Sequence, residues 1–188
     1  SEIESILNNC TDKKGIILDL RSNPGGLLTN AIYISDMLLK GGVIVSTVDR
    51  DRYKSTTRAR YGQVSAKPIV VLINKGSASA SEIVSGAVQD WDRGVIVGRR
   101  SFGKGLVQRQ FPLTDGSMIR LTTAHYYTPS GRCIQKPYTK GEDAYREEIL
   151  DRFQNGELLS ADSIVVNDSL KYYTKVKGRT VYGGGGII

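Results

Sequence analysis

Residues 69–91, IVVLINKGSASASEIVSGAVQDW, contain the pattern that decides the fold. A continuous apolar run of strand length comes first, and a loop of small polar residues follows it. The apolar residues then recur with helical spacing, at Ile83, Ala87, Val88 and Trp91. The stretch therefore predicts a buried strand, a loop and an amphipathic helix, which is the repeating unit of α/β proteins.

Similar patterns lie on both sides of this stretch. Residues 15–39, GIILDLRSNPGGLLTNAIYISDMLL, predict another strand that enters a helix through a Pro-Gly-Gly loop, and residues 94–98, GVIVG, predict a further short strand. Residues 106–127 alternate between apolar and polar side chains around a TDG turn, which is typical of antiparallel strands. We predict an α/β fold in which strand-loop-helix units are followed by a β-meander.

The composition changes after Lys136. The following stretch is acidic and has helical periodicity through Tyr145, Ile149 and Phe153, which predicts a helix on the surface. A hairpin is expected around Lys177 and Gly178.

Size and composition indicate one globular domain. The chain has 188 residues, of which 39% are hydrophobic and 24% are charged, and this places it far from disordered proteins. The net charge of +7 is compatible with nucleic acid, an anionic surface or an acidic substrate. We find no apolar run near the ~20 residues that span a bilayer and no signal-peptide pattern at the start. Cys10 and Cys133 are predicted to be separate thiols, and a disulfide between them is the alternative.

The loop with most chemical content is KGSASASE, residues 75–82. A hydroxyl group there would lie beside free backbone N–H groups and the positive end of the helix dipole. Such donors stabilise the charge that develops when a serine attacks a carbonyl group. The alternative is helix capping, because Ser79 and Glu82 have the spacing of a capping box.

A nucleophilic serine also needs a base. His125 is the only histidine, and its place in a β segment favours a hydrogen-bonded structural role over a place in a triad. The base would otherwise be a carboxylate or a lysine, and a lysine can serve where burial or a cationic neighbour lowers the pKa of its amine. Lys104 is the candidate, because Gly103 and Gly105 on either side allow the backbone a close approach.

Residues 98–105, GRRSFGKG, also match the start of a phosphate-binding GxxxxGK loop. That loop requires Ser or Thr after the lysine and a helix after the loop. Here Gly105 follows the lysine, and the strand-like LVQRQFPL follows the loop, so we do not predict nucleotide binding. The third loop, with Pro24, Gly25 and Gly26, fits a simple turn or a source of backbone N–H donors.

Three segments in order, GIILDLRSNPGGLL, KGSASASEIVSGAVQD and IVGRRSFGKGLVQ, resemble the C-terminal processing peptidases, also called tail-specific proteases. The resemblance extends from Gly15 to about Ile134. It implies a ClpP/crotonase-like protease core with Ser79 as the nucleophile, Lys104 as the general base and Gln108 as the residue that orients the lysine amine. Alternation along a strand would place Lys104, Leu106 and Gln108 on one face.

The resemblance further implies an oxyanion hole formed by the N–H of Ala80 and that of a glycine in the pair Gly25 and Gly26. It implies protein or peptide substrates with exposed C-terminal tails, a possible homo-oligomer and an extracytoplasmic location in a bacterial periplasm or cell envelope. We predict no cofactor, no metal and no nucleic-acid partner.

Two departures from the family pattern affect the domain organisation. Family members usually carry a PDZ domain and earlier core strands, so we interpret residues 1–188 as a partial protease domain. Residues 137–178 intervene before GGGGII, and we predict that they are an insertion within that domain.

The main competing class is a basic binding module without catalysis. Residues 49–63, DRDRYKSTTRARYGQ, interleave basic side chains with tyrosines as nucleic-acid surfaces do. An exposed hairpin is the simpler interpretation, because Asp49 and Asp51 dilute the positive charge. A third possibility is an inactive relative that binds peptides, but retention of Ser79, Lys104 and Gln108 argues against it.

Overall fold

The computed structural model describes residues 2–9, 12–60, 65–139 and 141–188. Two short 3-10 helices, Ala161–Ser163 and Asp168–Leu170, accompany the main elements. In chain order the main elements are α1 Glu2–Asn9, β1 Ile16–Asp19, α2 Leu28–Leu38, β2 Gly42–Asp49, β3 Lys54–Ala59, β4 Ile69–Ile73, α3 Ala80–Asp90, β5 Val95–Gly98, β6 Leu106–Pro112, β7 Met118–Tyr127, α4 Gly141–Gln154, β8 Lys171–Tyr173 and β9 Thr180–Tyr182.

A three-stranded parallel sheet has the order β1-β4-β5. Leu18 pairs with Val71, and Val71 with Ile96. Each apolar run that predicted these strands corresponds to one strand of this sheet, although some of the side chains, such as that of Ile17 at 73%, are exposed. Parallel strands end at the same edge of a sheet, so the loops after β1, β4 and β5 lie side by side. These are the three glycine-containing loops of the sequence.

The second sheet is antiparallel, with the order β3-β2-β7-β6. It includes the predicted meander hairpin, in which Phe111 pairs with Ile119, and joins it to the earlier β2–β3 hairpin through pairs such as Ser46 with Tyr127. The alternation around residues 106–127 is therefore correctly interpreted. β8 and β9 form the hairpin expected around Lys177 and Gly178.

The hydrophobic core lies where helices α2 and α3 pack on the sheets. Its centre includes Val71, Ile44, Ala87 and Val88, which are almost completely buried. Helix α3 is buried along most of its length, so its first turn is held firmly against the core. The α/β prediction is confirmed.

Helix α4 corresponds to the surface helix predicted after Lys136. The apolar spacing that indicated it runs through Tyr145, Ile149 and Phe153, yet Phe153 is 63% exposed while the side chain of Arg152 is only 2% exposed. Arg152 is buried rather than Phe153 because the part of the protein that α4 contacts offers polar partners for the guanidinium group. The proposal of an insertion at 137–178 stays a prediction.

Two further predictions concern thiols and membrane spans. The suggested pairing of Cys133 with Cys10 lies outside the described residues, since Cys10 is not among them. Within the described ranges, no helix has the length and the apolar character needed to cross a bilayer.

Candidate active site

A cavity of about 560 Å³ opens where the three loops meet. It lies between the start of α3, the start of α2 and the first residues of β6. All six residues that the sequence singled out line it, namely Ser79, Ala80, Lys104, Gln108, Gly25 and Gly26. Residues far apart in the sequence thus meet at one opening on the protein.

Ser79 has a strained backbone. It immediately precedes α3 and has φ of 55° and ψ of −114°, a region that non-glycine residues rarely adopt. Strain of this kind costs about 1–3 kcal/mol and is concentrated at functional sites, where a sharp turn between strand and helix exposes a nucleophile. Ala80 begins the helix, so its N–H points out of the first turn and lies at the positive end of the helix dipole.

Gly25 lies directly against this turn. A Cβ atom built on Gly25 would come within 2.6 Å of the Ala78 carbonyl oxygen and of the Ala80 nitrogen. The Ala78 N–H also donates to the Asn23 carbonyl at 3.0 Å, which joins the two loops. Only glycine allows the backbone after β1 to approach the Ser79 turn this closely.

Glu82 connects the Ser79 turn to the Lys104 loop. Its carboxylate is fully buried and accepts four hydrogen bonds: Oε2 from the N–H groups of Ser79 (2.8 Å) and Lys104 (2.9 Å), and Oε1 from the N–H of Gly103 (2.7 Å) and the hydroxyl of Ser101 (2.5 Å). Burial raises the pKa of Glu82, while the four hydrogen bonds oppose that shift by favouring the charged form. The capping interpretation is correct for Glu82, but capping is only part of what this carboxylate does.

Tyr126 forms a second connection between the same two loops. Its hydroxyl lies 3.0 Å from the carbonyl oxygen of Ser79 and 2.6 Å from that of Lys104. Burial raises the pKa of Tyr126 well above its usual value, and the charge of Glu82 adds to the shift, so the hydroxyl keeps its proton and can donate it. Our sequence analysis assigned no role to Tyr126, since no local pattern marks a tyrosine in a strand as the partner of two distant carbonyl groups.

Lys104 lies just before β6, and its position corrects one expectation. Strand alternation cannot set the direction of its side chain, because β6 begins at Leu106. Lys104 nevertheless lines the same cavity as Ser79 and Gln108. Among the described residues, no carboxylate pairs with the Lys104 amine, and no hydrogen bond joins that amine to Ser79 Oγ. A strand follows this loop, as the argument against a phosphate-binding loop expects.

Neither His125 nor the carboxylate of Asp19, at the end of β1, lines this opening. His125 is on the exposed face of β7, opposite the buried Tyr126, and it lines a different cavity. Asp19 forms an ion pair with Arg21 at 2.7 Å, and the hydrogen bonds from Arg21 lower the pKa of Asp19 to about 2. The structure therefore groups Ser79 with Lys104 and separates both from the histidine.

Known proteins that resemble this chain include carboxy-terminal processing proteases. The chain is 57% identical over 129 residues to a carboxy-terminal-processing protease of Bartonella bacilliformis, covering 66% of this chain and 30% of that protein. It is 40% identical over 134 residues to a carboxy-terminal processing protease of Bacillus subtilis, covering 69% of this chain and 29% of that protein. A solved photosystem II D1 C-terminal processing protease matches with a TM-score of 0.66 and 38% identity, covering 71% of this chain and 35% of that one.

The chain thus spans about a third of the length of these relatives. The family model described as peptidase family S41 matches residues 1–142, which include every residue that lines the cavity. The chain belongs to peptidase family S41.

Proposed function

We propose that this chain carries the catalytic centre of a serine endopeptidase, with Ser79 as the nucleophile and Lys104 as the general base. One observation carries the proposal. The strained Ser79 turn and the Lys104 loop face one cavity and are hydrogen-bonded to the same buried carboxylate, Glu82. This carboxylate binds the backbone of both loops. Among the described residues, no carboxylate pairs with the lysine amine.

The reaction follows the general scheme for a serine nucleophile and a base. Ser79 Oγ attacks the carbonyl carbon of the substrate while the neutral Lys104 amine takes the hydroxyl proton. When the tetrahedral intermediate collapses, the C–N bond breaks and the lysine returns that proton to the leaving amine. Water then hydrolyses the acyl-enzyme by the same steps in reverse order. Gln108 lines the same cavity as Lys104 and would hold the lysine amine in place.

The oxyanion needs two donors near Ser79. The N–H of Ala80 is one, because the first turn of a helix offers it no carbonyl partner. The N–H of Gly25 already donates to Asn23 Oδ1 at 2.9 Å. We therefore assign the second donor to Gly26, while Gly25 provides the close approach between the loops.

The names of the relatives indicate the substrate class. They are carboxy-terminal processing proteases, and we propose that the full-length protein cleaves proteins or peptides near an exposed C-terminal tail. A PDZ domain that binds the tail, assembly into a homo-oligomer and an extracytoplasmic location belong to the same proposal.

The test compares three alanine variants of the full-length protein. Ser79→Ala and Lys104→Ala should each reduce kcat on an unstructured peptide with a free C-terminus by several powers of ten, because members of a catalytic unit act together. His125→Ala is the matched control and should retain most of the activity. A fluorophosphonate that labels the parent protein but not Ser79→Ala would identify the nucleophile. Loss of activity in His125→Ala, with Lys104→Ala still active, would refute the proposed dyad.

A further inference from the structure

A cluster of buried charges lies beside the loop that leads to Lys104, and none of its members lines the cavity. It joins helix α4 to the 99–103 segment, which runs from β5 to Lys104. Its charged members have little exposure, between 2% and 27%, and are Arg100, Lys136, Glu148, Arg152 and Glu157. Removal of so many charges from water is costly, so their mutual contacts fix the arrangement tightly.

Arg152 reaches furthest into the 99–103 segment. Its Nη1 donates to the Ser101 carbonyl at 2.7 Å and its Nη2 to the Phe102 carbonyl at 3.3 Å. Its Nε donates to Glu148 Oε1 at 2.6 Å, one turn earlier on the same helix. The guanidinium group is thus held by α4 and binds two successive backbone carbonyl groups.

The same two peptide groups bind the Ser79 side of the protein through their N–H groups. The peptide that joins Ser101 to Phe102 donates its N–H to the carbonyl of Ser77 at 2.9 Å. The next peptide, between Phe102 and Gly103, donates its N–H to the Glu82 carboxylate at 2.7 Å. The C=O and N–H of a peptide group point in opposite directions because the group is planar and trans. Arg152 therefore holds one side of these peptides while the nucleophile loop holds the other.

The rest of the cluster keeps Arg152 in this position. Lys136 Nζ lies 4.2 Å from the ring centres of both Phe102 and Tyr145, and 3.2 Å from Glu148 Oε2. Arg100 Nε lies 2.7 Å from Glu157 Oε1, a charge contact without hydrogen-bond alignment. Burial would raise the pKa of Glu148, but its hydrogen bond and charge interactions with Arg152 and Lys136 outweigh burial and lower it. The carboxylate thus stays charged between the two cations.

We propose that Arg152 is a positioning residue for Lys104: by binding the Ser101 and Phe102 carbonyls from α4, it fixes the backbone that presents the lysine amine to Ser79. The proposal rests on the proposed dyad. It gives the segment after residue 136 a role in the protease reaction, although no side chain of α4 lines the cavity. Its chemical basis is that a guanidinium group offers donors in a rigid fork, which suits two neighbouring carbonyl groups.

The test uses Arg152→Gln in the full-length protein, with Arg146→Gln as its matched control. Arg146 lies on the same helix and also pairs with a glutamate four residues away, Glu142, but its side chain is 73% exposed. We expect Arg152→Gln to lower kcat and the rate of Ser79 labelling by a fluorophosphonate about 10- to 100-fold, because small displacements of reacting groups have effects of that size. KM should stay within about twofold, since the variant leaves the cavity lining intact.

Arg152→Lys is the second variant, because it keeps the charge beside Glu148 but lacks the fork. Its kcat should fall between those of the parent protein and Arg152→Gln, and it decides the question if the glutamine variant does not fold. All rates are measured well below the thermal midpoint of each variant. Wild-type kcat in the variants that fold, or a fall in thermal midpoint with kcat unchanged, would overturn the proposal. Ser79→Ala, assayed in parallel, separates the two hypotheses, since cleavage by that variant would refute the dyad itself.

Discussion

The contact between Gly25 and the Ser79 turn can be tested by adding one methyl group. Gly25→Ala places a Cβ 2.6 Å from both the Ala78 oxygen and the Ala80 nitrogen, which is 0.8 Å inside the 3.4 Å where ordinary van der Waals contact begins. Both neighbours are backbone atoms, so neither can rotate away as a side chain would. Gly25 also has φ of +92°, which an alanine adopts only with strain.

These two effects have different sizes. The positive φ costs about 1–2 kcal/mol, of which about 0.4–1 kcal/mol is offset because alanine has less freedom than glycine in the unfolded chain. The overlap adds about 1–3 kcal/mol, the range measured when groups are forced into a packed site. If the turn moves to relieve the overlap, Ser79 is displaced by several tenths of an ångström, and a misplacement near 1 Å lowers a rate by about 100-fold.

Gly131→Ala separates strain from overlap. Gly131 has φ of +93°, almost the same as Gly25, but a Cβ there would meet nothing within 4 Å. Both variants are unfolded with urea, and kcat is measured on a peptide with a free C-terminus. We expect Gly25→Ala to be the less stable by about 1–3 kcal/mol, with kcat reduced 10- to 100-fold, while Gly131→Ala keeps its activity. Equal stability and equal activity of the two variants would refute the claim that this contact positions Ser79.

Two further predictions concern buried charges. Asp90 and Arg132 form an ion pair at 2.8 Å with both side chains fully buried, so Asp90→Ala should lower the free energy of unfolding by about 3–5 kcal/mol in urea titrations. Glu142→Ala, which breaks an exposed ion pair, should change the free energy of unfolding by no more than about 0.5 kcal/mol. Equal losses of stability in Asp90→Ala and Glu142→Ala would contradict this reasoning. The pKa of Glu148 is lowered in the folded protein, so its contribution is complete above the unfolded value of about 4.3 and is lost as the pH falls through the folded value. The stability difference between the parent protein and Glu148→Gln should therefore shrink on acidification from pH 6 to pH 3, and a difference that grows would show that the sign is wrong.

The strand-loop-helix units could be predicted because each is encoded locally. The apolar run at 69–74 corresponds to β4, and helix α2 ends just before the glycine pair Gly41 and Gly42. Buried parallel strands and amphipathic helices leave such patterns in contiguous residues. The pairing of β2 with β7, which joins the two hairpins of the second sheet, was beyond this approach. Ser46 and Tyr127 pair across 81 positions, and no local pattern selects one distant partner over another.

In the candidate site, too, local patterns were predictable from the sequence and long-range contacts were not. Ser79 and Lys104 stand in glycine-containing loops, so the sequence marks them as unusual positions. Glu82 was predicted only as a capping residue, because capping is the function that can be derived from a spacing of three residues. Its contacts with Ser101 and Gly103 depend on how β5 lies beside β4, which only the folded chain determines.

Helix α4 shows what apolar periodicity leaves undetermined. The spacing of Tyr145, Ile149 and Phe153 predicted a surface helix, which is present, but it does not predict which side chain of that helix is buried most deeply. The receiving surface here consists of backbone carbonyl groups at Ser101 and Phe102 together with the Lys136 ammonium group. Carbonyl oxygens removed from water require donors, and a phenylalanine has none, whereas Arg152 satisfies two of them and Glu148 balances the added charge. A helix that docks on the backbone of a loop must bury charged side chains, so its inner face can be found only when the polar groups of the loop are known.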